Sequence, residues 1–418
     1  MRRKYIGVVA SCAVLTAVML AAAGCASDED EPAPAAGSQE EPLEERGILL
    51  GAEGEIVPER YIVTLRDDIG EALSSTVDNL LAQYGGRIGF RYTDALKGFS
   101  VEMPEFAARL LAANPLVSSV SHVHIGHGVT TQQNPPWGLD RSDQSDLPLS
   151  TSYTYPDNGG QGVTAYLVDS GVTRRHPDFE NRVTSGYDFV DDDDEANDGH
   201  GHGTHTAGTV LSKTYGIAKK ARGVALRVLG NDNSGTTEQS LNAFDWIIRH
   251  AQKPAVLNYS IGFSGGDSAI DNAARRVWQA GIVFVVSAGN NNKDGCRSAS
   301  PARVTDLITV GATTRSDSRA RPQDWGSGSG SNFGACLDIF APGTGTVSTS
   351  SSGSGTRTMY GTSMATPHVT GAAALYLATN PSATPQQVRN ALVNNATAKV
   401  TNAGANTTNK LLYMGFIR

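Results

Sequence analysis

Four short apolar runs constrain this chain more than any other feature. "GVTAYLVD" (162–169), "VALRVL" (224–229), "AVLNYSI" (255–261) and "GIVFVVSAG" (281–289) are rich in β-branched residues, and helical stretches such as "TEQSLNAFDWIIRHA" and "AIDNAARRVWQA" lie between them. A strand that is apolar at nearly every position leaves neither face in water, and strands joined through helices run parallel. The pattern therefore predicts an α/β fold, a parallel sheet covered by helices on both faces. Sites in such sheets gather beyond the carboxyl ends of the strands, so the residues on which these runs end carry the most interest.

The chain ahead of this region reads differently. Residues 1–25 combine a basic start, an apolar run and small residues before Cys25, the pattern of a secretory signal peptide. "LAAAGC" resembles a bacterial lipobox, with Ala22 where that pattern prefers Leu, Val or Ile, and this makes Cys25 a candidate for lipidation. Residues 26–55 are acidic and rich in Pro and Ala, as expected of a disordered tether. Residues 56–128 predict a small α+β unit in the order β-α-β-β-α-β, a ferredoxin-like arrangement. Residues 129–418 form the large domain. The formal net charge of −8 lies in the leading segments, because acids and bases balance at 24 each from residue 129 onward. No basic patch argues for nucleic acid.

Several residues could carry chemistry, and each has a plainer reading. Asp169 ends "VTAYLVD", where a carboxylate could serve a site or cap a helix. Ser363, in "YGTSMATPHVTGAAALYLAT", precedes a long apolar helix and could simply be its N-cap; near a base, the same hydroxyl is a nucleophile. Asn290 ends "VFVVSAGN" and could close an Asx-turn or aim its amide at a developing oxyanion. The stretch "NDGHGHGTHTAGTV" holds His200, His202 and His205, which are closely spaced for a zinc site.

Taken together, "VDSGV", "GHGTHTAGT", "SAGN" and "GTSMATPHV" resemble the signatures of the subtilases, in that family's order of Asp, His, Ser. "PPWGLDRSDQSDLPLSTSYTY", "CRSASPARV" and "LDIFAPGT" are similar to the proteinase K and aqualysin-like branch. The resemblance implies a subtilisin-like domain and a secreted bacterial serine endopeptidase made as a self-processing zymogen, residues 56–128 being its inhibitory propeptide. It implies Asp169, His202 and Ser363 as the catalytic triad and Asn290 as an oxyanion donor. Ser260, Ile261 and Gly262 with Ser287, Ala288 and Gly289 would wall the substrate pocket, and Gly235 would pair with the substrate backbone. Small walls and no carboxylate imply broad specificity with an apolar or aromatic preference, although Phe263 stands where the family pattern has Gly. His205 would then be a packed histidine and His200 a loop residue.

The same resemblance pairs Cys296 with Cys336 and implies structural calcium, with no catalytic metal. One ion would use Asp188 and Asp193, a second Asp140, Asp143, Gln144 and Ser150, and a third Asp338 with the carbonyls of Thr305 and Leu307. Hard oxygen ligands suit calcium. Partners would be protein and peptide substrates and the propeptide, on a monomer. The rival readings are an inactive subtilase acting as a binding module and a metal-binding surface protein.

Overall fold

The computed structural model describes residues 49–50, 56–126, 128–326 and 328–417. The signal with Cys25 and the rest of the tether lie outside them, but Leu49–Leu50, expected to be disordered, pairs as a strand with Val120 and Ser121. The described residues cluster into two compact units, one built on residues 61–121 and one on residues 122–418.

The small unit is a five-stranded sheet in the order Leu49–Leu50, Val117–His124, Ile56–Leu65, Gly98–Glu102, Arg87–Tyr92. Helices Leu73–Tyr84 and Glu105–Ala112 bury one face each, through Val77 and Leu80 and through Ala107, Ala108 and Leu111. These side chains join Tyr61, Val63, Phe99 and Val101 in one core. Apart from the two-residue strand at 49–50, the elements follow the β-α-β-β-α-β order read from the sequence.

The large unit is built on nine strands in the order Thr397–Ala398, Lys410–Leu411, Ile339–Pro342, Ile308–Thr313, Val283–Ser287, Ala255–Tyr259, Thr164–Asp169, Arg222–Arg227, Val183–Asp188. Every neighbouring pair is parallel except the antiparallel edge pair at Thr397–Ala398. Strand residues alternate between two cores, as a pleat of period two requires. Ala165, Leu167, Val256, Val283 and Val285 face one cluster. Tyr166, Val168, Leu257, Tyr259, Phe284 and Val286 face the other.

Helices Thr237–His250 and Ser268–Gln279 cover the second face through Phe244, Ile247, Ile270 and Val277. The first starts from a capping box of Thr236 and Gln239, and the second from Asp267, which accepts from Ala269 N and Ile270 N. The other face carries helices His202–Leu211 and Thr362–Thr379. The latter is buried on nearly all sides, so it runs through the core rather than along its surface. A disulfide joins Cys296 and Cys336. Closing a loop of 40 residues stabilises the folded state by about 4 kcal/mol in the chain-entropy account.

Candidate active site

Asp169 is the last residue of its strand, and its carboxylate is fully buried. His202 opens the helix that packs across the end of that strand. Its Nδ1 lies 2.7 Å from Asp169 Oδ1. Asp169 also accepts from Ser170 N at 2.8 Å and from Thr206 Oγ1 at 3.2 Å. Burial alone would lower the His202 pKa, but the adjacent Asp169 charge and hydrogen bond outweigh it and hold the imidazole above its ordinary value. Asp198 pushes in the same direction, and Arg357 opposes it.

Asp198 drew no attention as a sequence. Its Oδ1 accepts from Ser170 Oγ, His200 N and Gly201 N, and its Oδ2 accepts from Thr204 N and Thr204 Oγ1 at 2.5 Å. Ser170 Oγ in turn accepts from Gly203 N. One carboxylate thereby ties the loop before His202 to the first turn of its helix, where N–H groups lack intrahelical partners. A signal existed, an acid four residues ahead of the histidine, but nothing in sequence separates it from the acids beside it.

Ser363 is not an N-cap. The Thr362–Thr379 helix starts one residue earlier, with Gly361 as its cap. The Ser363 hydroxyl donates to Ser260 O at 3.2 Å, and Ser260 Oγ donates to Ser363 O at 3.1 Å. Among the described hydrogen bonds none joins Ser363 to His202.

Asn290 extends from the Val283–Ser287 strand toward the same helix start. Its Oδ1 accepts from Thr362 N at 2.9 Å and Thr362 Oγ1 at 2.8 Å, which leaves its Nδ2 as a donor. Gly361 shows where that donor points. A Cβ built there would lie in ordinary contact, 3.5 Å from Asn290 Nδ2 and 3.6 Å from Ser363 N, while the residue's φ of +150° disfavours a side chain. Asn290 Nδ2 and Ser363 N thus both lie beside Gly361, whose φ glycine adopts most readily. Thr362 and Gly361 were not foreseen as site residues, because their roles depend on Asn290, 72 residues from Thr362.

The two expected pocket walls lie beside this point. Ser260, Ile261, Ser287 and Ala288 are buried, and Gly262 has nothing within 4 Å of a notional Cβ. Asn332, also unforeseen, donates to Ala288 O and accepts from Asn291 N and Lys293 N, which pins the second wall. Gly235 is exposed and lies against Val228, whose carbonyl oxygen would be 2.1 Å from a Cβ. Phe263 does not stand free beside the cleft. It packs on the second core cluster and pairs with Ser300.

The three histidines do not gather. The rings of His200 and His202 are 6.4 Å apart. His205 Nε2 sits 3.0 Å from both Thr346 O and Arg357 O, and burial pushes its pKa down to about 4, so the ring is neutral and packed. Among the described residues no three His, Cys, Asp or Glu side chains are grouped to hold a metal ion.

The expected calcium ligands separate into two kinds. Asp140 accepts from Ser150 N, Ser150 Oγ and Thr151 N, and Gln144 Oε1 accepts from Ser150 N. Beside them Asp143 accepts from Thr154 N through Oδ2, while its buried Oδ1 has no partner. Burial, then the Asp140 charge, raises the Asp143 pKa to about 6. An unpartnered carboxylate oxygen next to a second carboxylate fits a hard cation.

The other two sets do not fit. Asp188 is bound by Arg227 at 2.6 Å, and its Oδ1 accepts from Val190 N and Asp191 N. Asp193 pairs with it only through the backbone, its own Oδ1 accepting from Glu195 N. Asp338 is bound by Arg389 on Oδ1 and by Thr309 N on Oδ2, and among the described hydrogen bonds none joins it to Thr305 or Leu307. Expected as cation ligands, Asp188 and Asp338 instead hold guanidinium groups.

A parallel sheet ending in a buried aspartate–histidine pair, with a serine and two convergent N–H donors at a facing helix start, defines an α/β serine hydrolase site. The chain belongs to the subtilase family, whose sequence profile matches residues 160–413, and it is a serine endopeptidase. It is 42% identical over 420 residues to "Extracellular serine proteinase" of Thermus sp. (strain Rt41A), across 95% of this chain and 97% of that protein. It is 37% identical to "Proteinase R" of Parengyodontium album, across 92% and 96% of the two chains. It also resembles a crystal structure of a cold adapted subtilisin-like serine proteinase, with a TM-score of 0.63 and 46% identity, over 68% of this chain and 99% of that one.

Proposed function

We propose that the chain is a secreted, self-processing serine endopeptidase with broad specificity and a preference for apolar or aromatic side chains before the scissile bond. Asp169 fixes the His202 tautomer and stabilises the imidazolium that forms. The His202 Nε2 takes the Ser363 proton as the hydroxyl leaves Ser260 O and attacks the carbonyl carbon. The tetrahedral oxyanion is held by Asn290 Nδ2 and Ser363 N, which meet beside Gly361. His202 then protonates the departing amine, and water hydrolyses the acyl-enzyme. The observation that carries this reading is the 2.7 Å contact of His202 with Asp169 beside an anchored Asn290 amide.

The substrate reading rests on walls of small residues with no carboxylate among them, and on the exposed backbone at Gly235. The small unit is the propeptide and inhibitor in this proposal. Self-cleavage falls within 124–131, between the strand that ends at His124 and the strand Val129–Gln133. Secretion is supported by the amino-terminal pattern and by the extracellular relative. Asp140, Asp143, Gln144 and Ser150 would hold one calcium ion, which would supply positive charge to a loop carrying two close carboxylates.

Wild type and Ser363→Ala, expressed in parallel, test the proposal. Wild type should lose its leading segment and digest casein; the variant should keep that segment and leave casein intact. Removal of the segment from both, with casein intact in both, would overturn it.

A further inference from the structure

Asp338 lies two residues after Cys336 and just ahead of the Ile339–Pro342 strand. Its carboxylate is the meeting point of three elements. Its Oδ2 accepts from Thr309 N at 2.9 Å, on the neighbouring strand. Its Oδ1 accepts from Arg389 Nε at 3.1 Å and Nη2 at 2.5 Å, from the Pro385–Asn395 helix. Asp338 N also donates to Thr309 O at 3.0 Å. The Asp338 side chain is 9% exposed and that of Arg389 25%.

Calcium in this position would need six to eight oxygen ligands at 2.3–2.6 Å, the carboxylate among them. Asp338 Oδ1 is already held by a guanidinium through two N–H donors, and that group's permanent positive charge repels a dication. Arg389 therefore does what an ion would do. It neutralises a buried carboxylate and ties the helix to the sheet.

We infer that the Arg389 guanidinium is a built-in cation standing in place of calcium at Asp338, so that this end of the sheet is held together independently of calcium. A free ion leaves when calcium is scarce, whereas a side chain on a helix cannot. The proposal depends on the Asp140–Asp143 reading only for its reference count of one bound ion, which Asp143→Asn tests separately.

The test uses the full chain carrying Ser363→Ala, so that self-digestion does not intervene, and measures calcium stoichiometry by calorimetry and Tm with calcium or chelator. Asp338→Asn should leave the stoichiometry unchanged and lower Tm equally in calcium and in chelator. Arg389→Ser should bind one more ion, with a Tm several degrees higher in calcium than in chelator. Arg389→Lys, which keeps the charge, should gain no site. If Arg389→Ser does not fold at all, the Asp338→Asn count decides. A loss of one ion in Asp338→Asn, or no gain in a folded Arg389→Ser, would overturn the inference.

Discussion

At the carboxyl edge of the sheet, Asp169 and Asp198 face an imidazole and a ring of N–H and O–H donors. Asp188, which ends a strand on the same edge, and Asp338, just ahead of a strand, face guanidinium groups instead, and Asp143 leaves one oxygen without a partner. All five have the same difficulty, a carboxylate withdrawn from water. Arginine keeps its proton at any ordinary pH, so the Asp188 and Asp338 pairs hold no base that could accept one from a substrate. Histidine can take up and release a proton near neutrality, so the Asp169–His202 pair can move one where the arginine pairs cannot. The choice of partner thus separates a buried charge that holds the fold from one that does chemistry.

The strongest way to break this comparison is at the reactive end. Ser363→Ala should lower kcat on a peptide substrate by about 10⁶-fold while leaving Tm near wild type. Replacing the fixed charge in Asp169→Asn should cost about 10⁴-fold in kcat, through the wrong His202 tautomer, whereas Asp338→Asn should change Tm far more than kcat. Asn290→Ala should cost about 10²–10³-fold in kcat with little change in KM, since its donor acts on the oxyanion.

A pH profile sharpens the distinction within the site. His202 must be neutral to accept a proton, and its raised pKa means that activity is lost as pH falls through a value above the ordinary histidine range. Asp198 contributes to that rise, so Asp198→Asn should move the acid limb of kcat/KM to lower pH; an unmoved limb would leave Asp198 only a structural role. The smallest effect is expected at Asp143. Asp143→Asn should reduce the difference in Tm between calcium and chelator while leaving activity at moderate temperature unchanged.

Much of this architecture was legible as sequence. Runs such as "VFVV" are apolar at every position because the pleat sends alternate side chains into two cores, and that forces a sheet covered on both faces. Asp169 and Asn290 stood out because they end such runs. Partners set by tertiary packing were not legible. Asp188 with Arg227 and Asp338 with Arg389 are separated by 39 and 51 residues, and composition alone cannot say whether an acid meets an ion or a guanidinium. Gly361 and Thr362 looked like lead-in to a helix, and only the folded chain brings Asn290 onto them. Phe263 stands where the resemblance has Gly, and its strand pairing at Ser300 and packing on the second core account for it only in the folded chain.

The central claim is that the His202 imidazole, oriented by Asp169, makes Ser363 the nucleophile. The rate at which a phosphonyl fluoride labels the chain, followed by mass spectrometry across pH, reads this directly. A single label on Ser363, rising through one ionisation above the ordinary histidine value and lost in His202→Ala, is the predicted result. Labelling of Ser363 at an undiminished rate in His202→Ala, or no labelling of Ser363 at any pH, would contradict it.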